Sequence, residues 1–158
     1  MVLAARAGDA EAFGALYEKY YATVVWLAYA LVLDRDWAED IAQQTFVKAC
    51  EKLADLKKPE RFAGWLTRIC RNTAKQALRD RKQATVEKVE QVVAAPDPLR
   101  DQELSQAIKA AIDQLAPMYR EIVVLHYYHH QSYPQLREIL GISDHSVRAA
   151  FDQRENPG

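Results

Sequence analysis

Glycine is scarce in this sequence, five residues in 158, and cysteine and methionine are scarcer, at two each. With so few turn-forming residues and no alternation of β-branched with polar side chains, a strand-rich fold is excluded. Cys50 and Cys70 stand alone in apolar surroundings without a CxxC partner, so they read as reduced core thiols rather than a redox or metal site. No uncharged run reaches the roughly 20 residues that a bilayer crossing needs. Tyr20 to Leu33, between Lys19 and Asp34, reads instead as a buried helix, and no membrane insertion is expected. The chain does not open on a basic segment followed by a small-residue cleavage site, which favours the cytoplasm. Nucleophile elbow, glycine-rich phosphate loop and HExxH are all missing, which argues against an enzyme and against a bound cofactor.

What is present is helical periodicity and unevenly placed charge. At 49% hydrophobic and 27% charged residues, the chain can bury one ordinary core or two small ones. The net charge of -1 hides an asymmetry: Met1 to Asp55 holds five basic residues against nine acidic, whereas Leu56 to Gln83 holds nine basic against two. The second segment is built for a polyanion.

Apolar residues recur at three- and four-residue steps almost throughout, so the fold is expected to be all-α. A first long helix should follow a cap at Asp9, and a second should begin at Asp36, where "DWAE" is arranged as a capping box, and end near Leu53. After "KKPE", a third helix places Phe62, Trp65, Leu66, Ile69, Thr73 and Ala77 on one stripe. Arg61, Arg68, Arg71, Asn72, Lys75, Arg79 and Lys82 lie on the opposite one. Cations on such a stripe can track phosphates, and Phe62 and Trp65 beside it are either core residues or platforms for unpaired bases.

The pattern fades over residues 84–101, which read as a linker between an N-terminal domain (1–83) and a C-terminal one (102–158). A short helical piece around "VEKVEQVV" is compatible with that linker. Periodicity returns with Leu104, Ile108, Ile112 and Leu115 on a stripe, and Pro117 should start the next helix, "MYREIVVLHYYHH". Ser132 and Gln135 are spaced as a reciprocal cap for "SYPQLREIL", Gly141 ends that helix, Ser143 caps the last, and Asn156-Pro157-Gly158 stops it. This is the layout of a helix-turn-helix, with Leu136, Ile139, Leu140, Val147 and Phe151 facing inward and His145, Ser146, Arg148, Ala149 and Asp152 exposed. His126, His129 and His130 have helical spacing, but no further cysteine or carboxylate is placed to complete a metal site.

In order, "WAEDIAQQTFVKA", "RFAGWLTRICRNTAKQALRDR", "LAPMYREIVVLHYY" and "QSYPQLREILGISDHSVR" resemble bacterial RNA polymerase sigma factors of the extracytoplasmic-function group of the sigma-70 family. The likeness covers about Ala7 to Arg148. It implies two helical domains, sigma-2-like and sigma-4-like, that bind the clamp helices and the flap of core RNA polymerase and recognise promoter DNA without covalent chemistry. By that resemblance Glu39, Asp40, Gln43 and Gln44 would face the clamp. Lys57, Lys58, Arg61, Phe62, Arg68, Arg71, Asn72, Lys75 and Arg79 would serve the melted minus-ten element, and Ser143, His145, Ser146 and Arg148 the minus-thirty-five element. An anti-sigma factor is the further partner it implies. Two departures stand out: the basic run that follows the position of Val147 in the family is missing here, and Pro134 replaces an acidic residue. From Leu104 onward there are five basic residues against six acidic, so this domain alone should hold DNA weakly. Two other readings are a sigma-like protein that occupies polymerase or an inhibitor without initiating, and an ordinary helix-turn-helix regulator that binds duplex DNA without polymerase.

Overall fold

The structure, a computed structural model, describes residues 1–87 and 106–155, all helices and connecting turns. Most of the expected linker, Leu104 of the expected stripe, and Asn156-Pro157-Gly158 lie outside the described residues.

The N-terminal half is a bundle of α1 (Val2–Arg6), α2 (Ala10–Val32), α3 (Arg35–Lys52) and α4 (Phe62–Glu87). Helix α1 had no counterpart in the periodicity; it is pinned where Arg6 Nη1 donates to the carbonyl of Leu56 at 2.9 Å. Asp9 caps α2 as expected, accepting from the amides of Glu11 and Ala12. The cap of α3 is Asp34 rather than Asp36, because α2 ends abruptly at Leu33, which turns left-handed at φ 54, and Asp34 already has the extended backbone of a cap. Its carboxylate accepts from the amide of Trp37 at 3.0 Å. Two short 3-10 turns, Leu53–Asp55 and Pro59–Arg61, carry the chain into α4. Helix α4 runs on to Glu87, past the expected boundary at Gln83.

Leu16, Val24, Leu27, Ile41, Phe46, Phe62, Leu66 and Ile69 fill the space between these helices. Each large apolar side chain removed from water contributes about 1.5–3 kcal/mol before the entropy of ordering it. Buried Thr45, Thr67 and Thr73 satisfy their hydroxyls on carbonyls one turn back, at 2.7, 2.9 and 2.7 Å, so they enter the core without an unmet donor. Cys70 is a core thiol: burial pushes its pKa up to about 12, and Sγ lies 3.8 Å from the carbonyl of Val24. Cys50, in contrast, is exposed on α3 and does not belong to the core.

The C-terminal half contains α5 (Gln106–Asp113), α6 (Pro117–Val123), α7 (Tyr133–Leu140) and α8 (Asp144–Glu155). Helix α6 continues as a π turn, Val124–Tyr128, before the chain reverses at His130, φ 55, so the single helix expected through His130 is shorter and widens at its end. Leu115 falls beyond α5 and is exposed, unlike the rest of the described stripe at Ile112. Ser132 and Gln135 form the reciprocal capping box, and Gly141 closes α7 in the left-handed conformation at φ 65. Leu136, Ile139, Leu140 and Val147 are buried as the helix-turn-helix pattern requires.

The two halves are not separated. One buried cluster runs from Ala5 to Val147, with α2 packed on α6 and its π turn and α4 packed on α7. At this seam Trp26 stacks on Tyr128, ring centres 6.1 Å apart, and Thr23 Oγ1 lies 2.9 Å from His129 Nε2.

Candidate nucleic-acid interface

The amphipathic split of α4 positions the candidate DNA surface. Because Phe62, Leu66, Ile69 and Thr73 are buried against α2 and α3, the geometry of the helix turns Arg61, Arg68, Asn72, Lys75 and Arg79 outward, and all five are exposed. Lys57 and Lys58, on the loop between the two 3-10 turns, are exposed at the start of the same surface. Together with Trp65 they border a cleft of 840 Å³ that α7 closes on its far side. Cations in a row with one half-buried ring can follow the phosphates of a single strand and offer a stacking face to one base.

Two residues of the expected set are placed differently. Phe62 is only 2% exposed, packed against Tyr20 and Trp65, so it supports the cleft from beneath rather than presenting a ring to a base. Arg71 faces the other half of the molecule: its Nε and Nη2 donate to the two carboxylate oxygens of Glu121 at 2.9 and 2.6 Å. That bond drives the guanidinium pKa further up, against the loss of water around it, which by itself lowers it.

On α3, Asp40, Gln43 and Gln44 are exposed on one face, and Glu39 beside them pairs with Arg35 at 3.5 Å. Gln43 Nε2 donates to the Tyr17 hydroxyl at 2.9 Å, which orients the amide from α2. This face carries acid and amide groups with exposed Val47 among them, a surface suited to a basic helical partner.

The tail helix α8 presents a sparser surface. Ser143 caps it through the amide of Ser146, at 3.1 Å, and the two hydroxyls lie 3.0 Å apart, so both serines are occupied with each other. His145 and Arg148 are exposed, but Arg148 reaches back to Asp144 at 3.4 Å, and Arg137 of α7 approaches the same carboxylate at 3.9 Å. Of the three histidines with helical spacing, His126 Nδ1 is 2.8 Å from the carbonyl of Gln131 and His129 meets Thr23; among the described residues no group of three potential ligands could hold a metal ion.

Sequence reasoning missed Glu121 altogether. Its signal was a single carboxylate inside the apolar run "MYREIVVL", a charge that cannot be buried without a partner, although nothing local names Arg71 as that partner. The cation-π contact of Arg81 over Trp37, at 4.3 Å, was equally hidden in the sequence.

Known proteins share this architecture. The family described as Sigma-70 region 2 matches residues 16–84, and Sigma-70, region 4 matches residues 105–151. The probable RNA polymerase sigma factor RfaY of Xanthomonas campestris pv. campestris is 32% identical over 154 residues, covering 91% of this chain but only 38% of that protein. The ECF RNA polymerase sigma factor SigW of Bacillus subtilis is 30% identical, covering 89% of this chain and 83% of SigW. Among solved structures, the sigma factor RpoE in complex with the anti-sigma factor NepR from Bartonella quintana superposes with a TM-score of 0.63 at 23% identity, over 92% of this chain and 93% of that one.

Proposed function

The chain belongs to the ECF RNA polymerase sigma factors, with a region 2 and a region 4 of the sigma-70 family, and on that premise we propose that it directs core RNA polymerase to promoters. The observation that carries this reading is the exposed basic face of α4, facing away from the core and continuing into Lys57 and Lys58. Arg61, Arg68, Asn72, Lys75 and Arg79 hold the non-template strand of the melted minus-ten element, and Trp65 at the cleft offers the stacking face. Asp40, Gln43, Gln44 and Glu39 meet the polymerase clamp helices, while region 4 meets the flap. No bond is made or broken by this protein; it offsets the unstacking cost of a few kcal/mol per base step by contacts available only to the opened strand. An anti-sigma factor is proposed as its inhibitor, and the cytoplasm, beside polymerase, as its place of work. Among the described residues no helix is long and apolar enough to cross a membrane.

For region 4, the Arg148–Asp144 and Arg137–Asp144 pairs favour a role as an anchor on polymerase over strong reading of the minus-thirty-five element by Ser143, His145, Ser146 and Arg148. Initiation by core polymerase on a randomised promoter library tests both statements. Active promoters sharing a minus-ten motif with little upstream information are expected. Binding to core without any transcript would replace the initiator reading with a sigma-like interaction protein, and binding to duplex DNA without polymerase would favour a helix-turn-helix regulator.

A further inference from the structure

We propose that Arg81 is a positioning residue of the nucleic-acid surface: seated over the Trp37 ring of α3, it holds the distal end of α4 and keeps Arg79 in line with the other cations. The inference rests on the sigma-factor reading above for its consequence, and on the geometry of α3 and α4 for the clip itself.

Three observations carry it. The first is the way α4 leaves its support. Up to Ala77 the helix is packed against α2 and α3, with Phe62, Leu66, Ile69, Cys70, Thr73 and Ala74 buried along it. From Leu78 to Gln83 every residue is exposed, although the helix runs on to Glu87. So short a stretch without tertiary contacts is marginal as a helix in water. Lys75, Arg79 and Lys82, at four- and three-residue steps, also repel one another along it. The Gln76 to Asp80 hydrogen bond, at 2.9 Å, lies within the helix and does not tie it to a neighbour.

The second observation is the tie. The Arg81 guanidinium lies 4.3 Å from the centre of the Trp37 ring. A guanidinium is planar and weakly hydrated, so it gives up little water to cover a ring whose face is negative. The platform is itself fixed, because Trp37 packs on the core and its amide is held by the Asp34 cap at 3.0 Å. The third is direction. Arg79 and Arg81 are two residues apart, about 200° around the helix, so the side that grips α3 is opposed to the side that bears Arg79. Arg81 is turned off the stripe of Arg61, Arg68, Lys75 and Arg79, and a strand following those four meets Arg79 where Arg81 has placed it. Without the tie the distal turns fray and Arg79 leaves the line, while the cations up to Lys75 stay on packed helix.

Trp37 carries no charge and Arg81 does, so the pair separates positioning from contact. Binding of a fluorescent oligothymidine strand to the full chain, over a salt series, compares the parent with Trp37→Leu, Arg81→Gln, their combination and Arg81→Lys. Expected is a loss of about threefold for Trp37→Leu and for Arg81→Gln, with no further loss in the combination. Arg81→Lys, which keeps a cation over the ring, should bind as the parent does. The slope of log K against log salt should change by the same amount in both single variants, since both act through Arg79. A slope that falls by about 0.7 for Arg81→Gln and is untouched by Trp37→Leu overturns the inference, because it makes Arg81 a phosphate contact. Single variants that bind as tightly as the parent overturn it as well. Amide exchange over residues 79–83 gives the second readout, expected to be faster in Arg81→Gln and parent-like in Arg81→Lys. Unchanged protection in Arg81→Gln overturns the clip, and it does so even where Trp37→Leu unfolds the bundle. A parent chain that binds no strand removes the nucleic-acid reading of α4 and the use of Arg81 in it, and exchange then shows whether the clip exists without that use.

Discussion

Region 2 and region 4 are built from the same helical grammar but spend it differently. In region 2 the helices are long: α4 alone has 26 residues, enough to bury Phe62, Leu66, Ile69 and Thr73 on one face and still present a row of cations on the other. In region 4 the helices have 8, 7, 8 and 12 residues, and exposed Arg137 of α7 and Arg148 of α8 converge on Asp144. The contrast leads us to expect that DNA affinity and thermal robustness reside mainly in region 2, while region 4 depends on its neighbours for both.

The largest test of that contrast is removal of a core leucine from the weaker partner. Leu136→Ala in α7 should cost about 2–5 kcal/mol, and calorimetry or amide exchange should show region 4 opening while α2 to α4 stay protected. Simultaneous loss of all protection would mean that the shared core unfolds as one unit. Next comes the charge contrast: Arg61→Ala/Arg68→Ala/Lys75→Ala should lower the slope of log K against log salt for a single-stranded oligonucleotide by about 2, since each phosphate contact on a single strand contributes about 0.7. Arg148→Ala, whose guanidinium is paired with Asp144, should leave that slope nearly unchanged. Equal effects would erase the distinction between the two surfaces.

A smaller effect separates two neighbouring aspartates at the entrance to α3. Asp34→Ala should cost about 1 kcal/mol, the usual worth of a side-chain cap, and should speed exchange of the Trp37 amide, which Asp36→Ala should leave protected; amide exchange in parallel would show which residue caps the helix. The smallest expected effect is a pH dependence of the seam. Burial, and then the neighbouring His130, lower the His129 pKa below its ordinary value. Thr23 and Trp26 of α2 pack on the ring, and neither brings a negative charge to hold an imidazolium. The packed seam therefore favours neutral His129. Its contribution is complete above pH of about 6.5 and declines as pH falls from there through the lowered value, because the unpacked ring takes up the proton first. Scattering between pH 7.5 and 5.5 should show a modest loosening that His129→Asn abolishes; a parent protein indifferent to pH would place no role on this contact.

Most of the helices were legible because amphipathic periodicity is a local signal repeated over many turns. Asp9, and Ser132 with Gln135, began helices where they were expected to, and Gly141 ended one, since each acts on amides and carbonyls within one turn of itself. The misplaced cap at Asp36 has the same origin in reverse. Two aspartates stood within reach of the same helix start, and the left-handed turn at Leu33, which decided between them, has no composition signal in a non-glycine residue. The exposed cations of α4 were legible as a stripe, because periodicity separates one face of α4 from the other. Whether a ring at the edge of that stripe is exposed depends on what packs across it, which is why Phe62 went into the core and Trp65 to the cleft.

The sequence by itself determined the helical class, the order of the two regions, the polarity of α4 and the poverty of positive charge in region 4. These follow from residue types and spacings within one or two turns, where backbone geometry leaves little choice. Only the tertiary structure decided that Arg71 belongs to Glu121, that Gly64 sits under the backbone of α7, and that Trp26 meets Tyr128. Those pairs lie far apart in sequence, and desolvation selects among many possible partners only when the whole chain has closed around them.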